Sequence, residues 1–102
     1  MITANQANQK VNKSLELASI EIIYDHIEKA IVDNNFHSTV LIKKKTSEET
    51  RNRIAKHFVN LGYTVHATVS KNMFDYTTTY RIDWLNPKEV IKETPKIHIF
   101  PN

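Results

Sequence analysis

The sequence predicts an α+β domain: a long two-faced N-terminal helix, a second helix and a mixed three- to four-stranded sheet, in the order α-β-α-β-β. Three observations carry this. No Gly or Pro interrupts the chain before Gly62. Apolar residues recur at helical spacing from residue 4 to 31 and again from 54 to 61, and two later segments alternate apolar with polar residues.

The first helix opens at Thr3, whose spacing to Gln6 is that of a capping box, and it is expected to run to about Asp33, roughly 45 Å at 1.5 Å per residue. Leu17, Ile20, Tyr24, Ile27 and Ile31 form one apolar row, with Ile23 and Ala30 at its edge. Ala4, Ala7, Val11, Leu15, Ala18 and Ile22 form another, about 170° away when each residue is advanced by 100°. A helix on a sheet needs one apolar face, which the first row supplies. The second row must be covered by the C-terminal tail, by a second copy or by another protein. Its small residues suit close helix approach, so it is expected to be a homo-oligomer interface.

After Asn34-Asn35, the segment Ser38 to Lys44 is β-branched and apolar at its centre, as a central strand requires. Thr46, with Glu49 as capping-box partner, is expected to start the second helix, and Ile54, Phe58 and Leu61 give that helix one apolar side. Gly62, the only glycine, reads as its left-handed C-terminal cap. Tyr63 to Val69 and Thr78 to Trp84 alternate strictly and read as an antiparallel hairpin with a loop from Ser70 to Thr77. The β-α-β portion predicts a parallel pair with a right-handed crossover. A helical turn after Pro87 and an extra edge strand at Lys96 to Phe100 are expected in the tail, so residues 1–86 make the domain and 87–102 follow it.

The 102 residues include no Cys, which excludes disulfides and thiolate metal sites, and 40% hydrophobic with 25% charged residues is the composition of a soluble globular domain. No apolar run approaches the ~20 residues of a membrane span, and the N-terminus, MITANQANQK, lacks the apolar core of a secretory signal. A cytoplasmic protein is expected, with no membrane partner.

Catalysis is not expected. The five histidines (26, 37, 57, 66 and 98) show no metal-ligand spacing, and the sequence contains no nucleophile elbow and no glycine-rich phosphate loop. No metal or cofactor is implied. The net charge of +3 is local: residues 1–37 carry three lysines against five acids, whereas residues 38–57 carry six basic residues against two acids. Lys43, Lys44, Lys45, Arg51, Arg53 and Lys56 supply it, and they could neutralise phosphates, with Phe74 and Tyr76 as stacking partners if they lie nearby.

Leu61-Gly62-Tyr63-Thr64-Val65, then Tyr80-Arg81-Ile82-Asp83-Trp84, behind an N-terminal Thr3-Ala4-x-x-Ala7, resembles small α+β proteins of tailed bacteriophages, most of them without an assigned activity. The resemblance covers residues 3–84, and ten Asn with a single Gly fit an AT-rich genome. It implies a phage source and the host cytoplasm. The expected function is a non-catalytic accessory or host-interaction protein that binds a host or phage protein as an oligomer. The alternatives are a nucleic-acid-binding module using the basic residues and a minor virion component.

Overall fold

A computed structural model describes residues 1–90. Five elements follow in the expected order: α1 (Ala4–Val32), β1 (His37–Ile42), α2 (Glu48–Val59), β2 (Thr64–Lys71) and β3 (Tyr76–Asp83). The chain is α+β. The expected strand at Lys96 to Phe100 lies outside the described residues. So does the second half of the expected helical turn, while Pro87 to Val90 form no helix.

The caps explain where the helices begin and end. Thr3 and Gln6 close a reciprocal capping box, with the Gln6 N–H donating to Thr3 Oγ1 at 3.1 Å and the Thr3 N–H to Gln6 Oε1 at 3.0 Å. α2 starts one residue later than the spacing predicts. Ser47, not Thr46, is the N-cap, its hydroxyl accepting the Thr50 N–H at 3.1 Å. Thr46 is drawn inward instead, because its carbonyl accepts hydrogen bonds from Arg51 and Tyr76. Gly62, at φ +100°, ends α2 as expected. The Tyr63 N–H reaches back to the Phe58 carbonyl and the Gly62 N–H to that of Val59, and the Tyr63 ring lies edge-on to Phe58 at 6.0 Å. These are the two bonds and the apolar contact of a Schellman motif. Asn34, at φ +62°, ends α1 the same way, with Asn35 bonded to Ala30 and Asn34 to Ile31.

The sheet order is β1-β3-β2, and both pairings are antiparallel. This corrects the mixed sheet. β1 and β2 do run the same way, but β3 returns between them, so the expected parallel pair is not hydrogen-bonded and β1 is an edge strand rather than a central one. The hairpin also zips further than expected. Lys71 pairs with Tyr76, leaving only residues 72–75 as the turn.

Both helices pack on one side of the sheet. Ile23 and Ile27 of α1 and Ile54 and Phe58 of α2 meet Val40, Ile42, Tyr80 and Ile82, all at most 6% exposed. Full burial of such a side chain contributes about 1.5–3 kcal/mol, so these eight hold the fold. The other side of the sheet carries Thr39, His66, Thr68 and Arg81, polar residues that suit an antiparallel sheet wetted on one face.

Candidate functional site

The buried face of α1 is neither of the two apolar rows. It is Glu16, Ser19, Ile23, Ile27 and Ala30, whose mean direction at 100° per residue lies about 80° from the Leu17–Ile31 row and about 115° from the Ala4–Ile22 row. Leu17 and Ile31 are therefore more than half exposed; from the row expected to serve the core Ile27 does so, with Ile20 partly and Tyr24 edge-on to Phe58 at 5.1 Å, and Ile23 and Ala30 at its edge are buried. Glu16 can be inside because Arg53 of α2 donates to it, Nε to Oε1 at 2.8 Å. Periodicity counts apolar residues and so passes over a buried face that includes a paired carboxylate and a serine.

The Ala4–Ile22 row is left almost bare. Ala4, Ala7 and Ala18 are exposed, Val11 is 58% and Ile22 40% exposed, and only Leu15 is half-buried. Every residue from 1 to 11 is exposed, and on one side Asn5, Asn8 and Gln9 line an open polar cleft with Ser47 and Glu49 at the start of α2.

The predicted basic cluster is divided. Arg51 and Arg53 stand two positions apart, ~200° round α2, and each is engaged in a different direction. Arg51, half-buried, donates from Nη1 to the Thr46 carbonyl at 2.6 Å and to the Tyr76 hydroxyl, which itself donates to that carbonyl at 3.0 Å. Its guanidinium also lies 5.9 Å from the centre of the Tyr76 ring. Arg53 bridges Glu16 of α1 and Glu49 of its own helix, the latter at 3.2 Å. The Glu16 hydrogen bond and both carboxylate charges raise its pKa above the ordinary arginine value, against a smaller opposing effect of desolvation. Lys43, Lys44, Lys45 and Lys56 are exposed. Of the six, then, two arginines serve the fold and the three consecutive lysines remain together.

Of these lysines, Lys43 stands beside the hairpin tip. The Arg51–Thr46–Tyr76 node ties the turn that follows β1 to the base of the hairpin, and Lys43 lines one shallow cleft with Phe74, Asp75, Tyr76 and Thr77. The tip itself is held by Asn72. Its side-chain oxygen accepts the Phe74 and Asp75 N–H groups at 3.0 and 2.8 Å, while its backbone N–H bonds to the Asp75 carbonyl. Met73 and Phe74 are thereby presented at 86% and 90% exposure. Of the two aromatics expected to be available for stacking, Phe74 is free to do so and Tyr76 is used as an anchor. Lys71, at the end of β2 opposite Tyr76, lies across β3 from Lys43 and on the other face of the sheet.

His26 and His37 line one open cleft with Asp33, His26 bonding through Nδ1 to the Ile22 carbonyl. His57 shares a 3.3 Å hydrogen bond with Tyr24 and stacks edge-on with it, His66 sits opposite Arg81 on the wet face, and His98 lies outside the described residues. Among the described residues no three His, Asp or Glu side chains could hold a metal ion together, and no helix is long and apolar enough to cross a membrane. No family model, curated protein or solved structure matches the chain, so its function must be argued from these surfaces.

Proposed function

We propose that this chain is a small non-catalytic protein-binding module that acts as an oligomer, with α1 as its docking element, and that it serves a phage as an accessory or host-interaction protein. One observation carries the reading: the body covers the Glu16–Ala30 face of α1 and leaves Val11, Ile22 and the alanines between and before them in solvent. The row from Ala4 to Ile22 is about 27 Å long. Its small residues let a second helix approach closely.

The charges favour a second copy in antiparallel orientation. The first turns carry Lys10 alone, whereas the second half carries Glu21, Asp25, Glu28 and Asp33 against Lys29. Antiparallel pairing of the row sets Glu21 and Asp25 beside the first turns of the other copy, whereas a parallel arrangement would stack the acids on one another. A contact some 27 Å long and ~10 Å wide is small beside the ~800 Å² per partner of a standard interface, so association in the micromolar range is expected.

Sedimentation equilibrium from 5 to 500 μM tests this. The wild-type mass should rise towards the dimer, and a Val11→Glu, Ile22→Glu variant should remain monomeric with an unchanged melting temperature, because both side chains are already exposed. A wild type that is monomeric throughout that range would refute the self-association.

A further inference from the structure

From the hairpin end of the sheet we infer a second binding site, independent of α1, that takes single-stranded nucleic acid. Lys43 shares a cleft with Phe74, Lys44 and Lys45 follow it along the exposed turn, and an Asn72-braced hairpin turn offers Phe74 to solvent at 90% exposure. Cations for phosphates beside one free aromatic ring are the two parts that sequence-tolerant binding of unpaired strands requires, because every base has a π-face to stack.

The site is built rather than incidental. An exposed lysine turn by itself is a mobile surface feature, but here Thr46, the residue after Lys45, is bound through its carbonyl to both Arg51 and Tyr76. Asn72 likewise fixes the turn that carries Phe74 with two side-chain hydrogen bonds. Both halves are therefore held before any ligand arrives, which reduces the ordering cost of binding. Asp75 is the one acid in the tip, and it shares the cleft of Lys43.

What continues from the tip favours a nucleic acid over a lipid surface. Lys43 follows β1 at the position facing Thr77, and the register carries that side of the sheet along Thr79 to Arg81. This is a hydroxyl-lined, cationic path suited to phosphate and sugar, with Leu41 its main apolar interruption. A bilayer would require apolar residues there. A duplex offers Phe74 no free base face.

Fluorescence anisotropy with a labelled 15-nucleotide oligo-dT tests the site. With three phosphates neutralised, the single-strand slope of about −0.7 per contact gives a ~20-fold loss of affinity between 50 and 200 mM salt. Phe74→Ala should weaken binding by about 5- to 150-fold with the salt slope unchanged. The double variant Lys43→Ala, Lys44→Ala should flatten the slope by about 1.4. The Val11→Glu, Ile22→Glu protein should bind as the wild type does, so failure of the α1 reading and failure of this one are separable. Absence of salt-dependent binding at 50 mM overturns the site. So does equal affinity for a 15-base-pair duplex with no effect of Phe74→Ala, or binding only to phosphatidylserine vesicles.

Discussion

Gly62→Ala tests the junction on which the second helix, the sheet and the last described residues converge. At φ +100° an L-residue is strained, and the new Cβ would stand 2.6 Å from the Lys88 carbonyl oxygen, a backbone atom that cannot swing aside as a side-chain end would. Three terms set the magnitude. Holding an alanine in that conformation costs about 1–3 kcal/mol. Displacing the Lys88 segment breaks the 2.8 Å bond from its N–H to the Gly62 carbonyl, about 0.5–1.5 kcal/mol. Against these, alanine narrows the unfolded ensemble, which returns about 0.4–1 kcal/mol. The net is a loss of ~2 kcal/mol, or about 8–16 °C in Tm for a domain of this size. Urea unfolding and thermal melts followed by circular dichroism would measure it, at one low protein concentration so that association does not enter. Gly62→Asn separates the terms, since asparagine tolerates positive φ better but carries the same Cβ. An alanine variant that melts within 2 °C of the wild type would show that the Schellman turn and the Lys88 contact do not constrain this position.

Asn34 performs the same task for α1 with a side chain that is only tolerated there, at φ +62°. Asn34→Gly should raise the urea stability by about 0.5 kcal/mol and Asn34→Val should lower it by ~1–2 kcal/mol. Tyr80 is 1% exposed, and its hydroxyl has no hydrogen-bond partner among the described residues, so Tyr80→Phe should leave stability unchanged or raise it by up to ~1 kcal/mol. Burial pushes the Tyr80 pKa up to about 12, with Tyr76 adding to the shift and Arg51 opposing it. The unfolded chain therefore ionises first, near pH 10, and the contribution is complete below that pH and lost as pH rises towards 12. Urea midpoints from pH 8 to 11.5 should fall more steeply for the wild type than for Tyr80→Phe, and parallel curves would refute the burial argument.

What could be read in the sequence is what local chemistry decides. Thr3 with Gln6, Gly62 after Leu61, and the alternation in 78–84 each depend on neighbours a few residues away and appear where expected, whereas β2 forms as a strand but Ala67 and Val69, expected on its inner face, are exposed. Strand order does not rest on near neighbours. A β-α-β unit leaves room for a third strand between its two, and nothing within residues 78–84 says whether that strand joins outside β2 or slips in beside β1. The inner row of β3, Thr78, Tyr80 and Ile82, is almost fully buried because it is covered from both sides, a fact about partners rather than about those residues. The basic residues failed as a cluster for a similar reason. Two positions apart in sequence, Arg51 and Arg53 point to opposite flanks of α2, one to Tyr76 and the other to Glu16.

The misassigned face of α1 is the more instructive case. A helix whose only task was to cover the sheet would place its branched aliphatic residues inwards, since each fully buried one contributes about 1.5–3 kcal/mol. This helix does the reverse over its first half. Glu16 and Ser19 are turned inwards, with Arg53 recruited to make the carboxylate tolerable, while Val11, Leu17 and Ile22 are turned out. An ion pair whose arginine is nearly half exposed contributes at most about 1 kcal/mol, so the exchange gains the monomer little. It does fix the rotation of α1, because Glu16 reaches Arg53 only at one setting of the helix about its axis. That setting directs the Ala4–Ile22 row away from the body. The polar pair inside and the apolar row outside are thus two consequences of one rotation, and the arrangement makes physical sense if the row is to be covered by something other than this chain's own sheet.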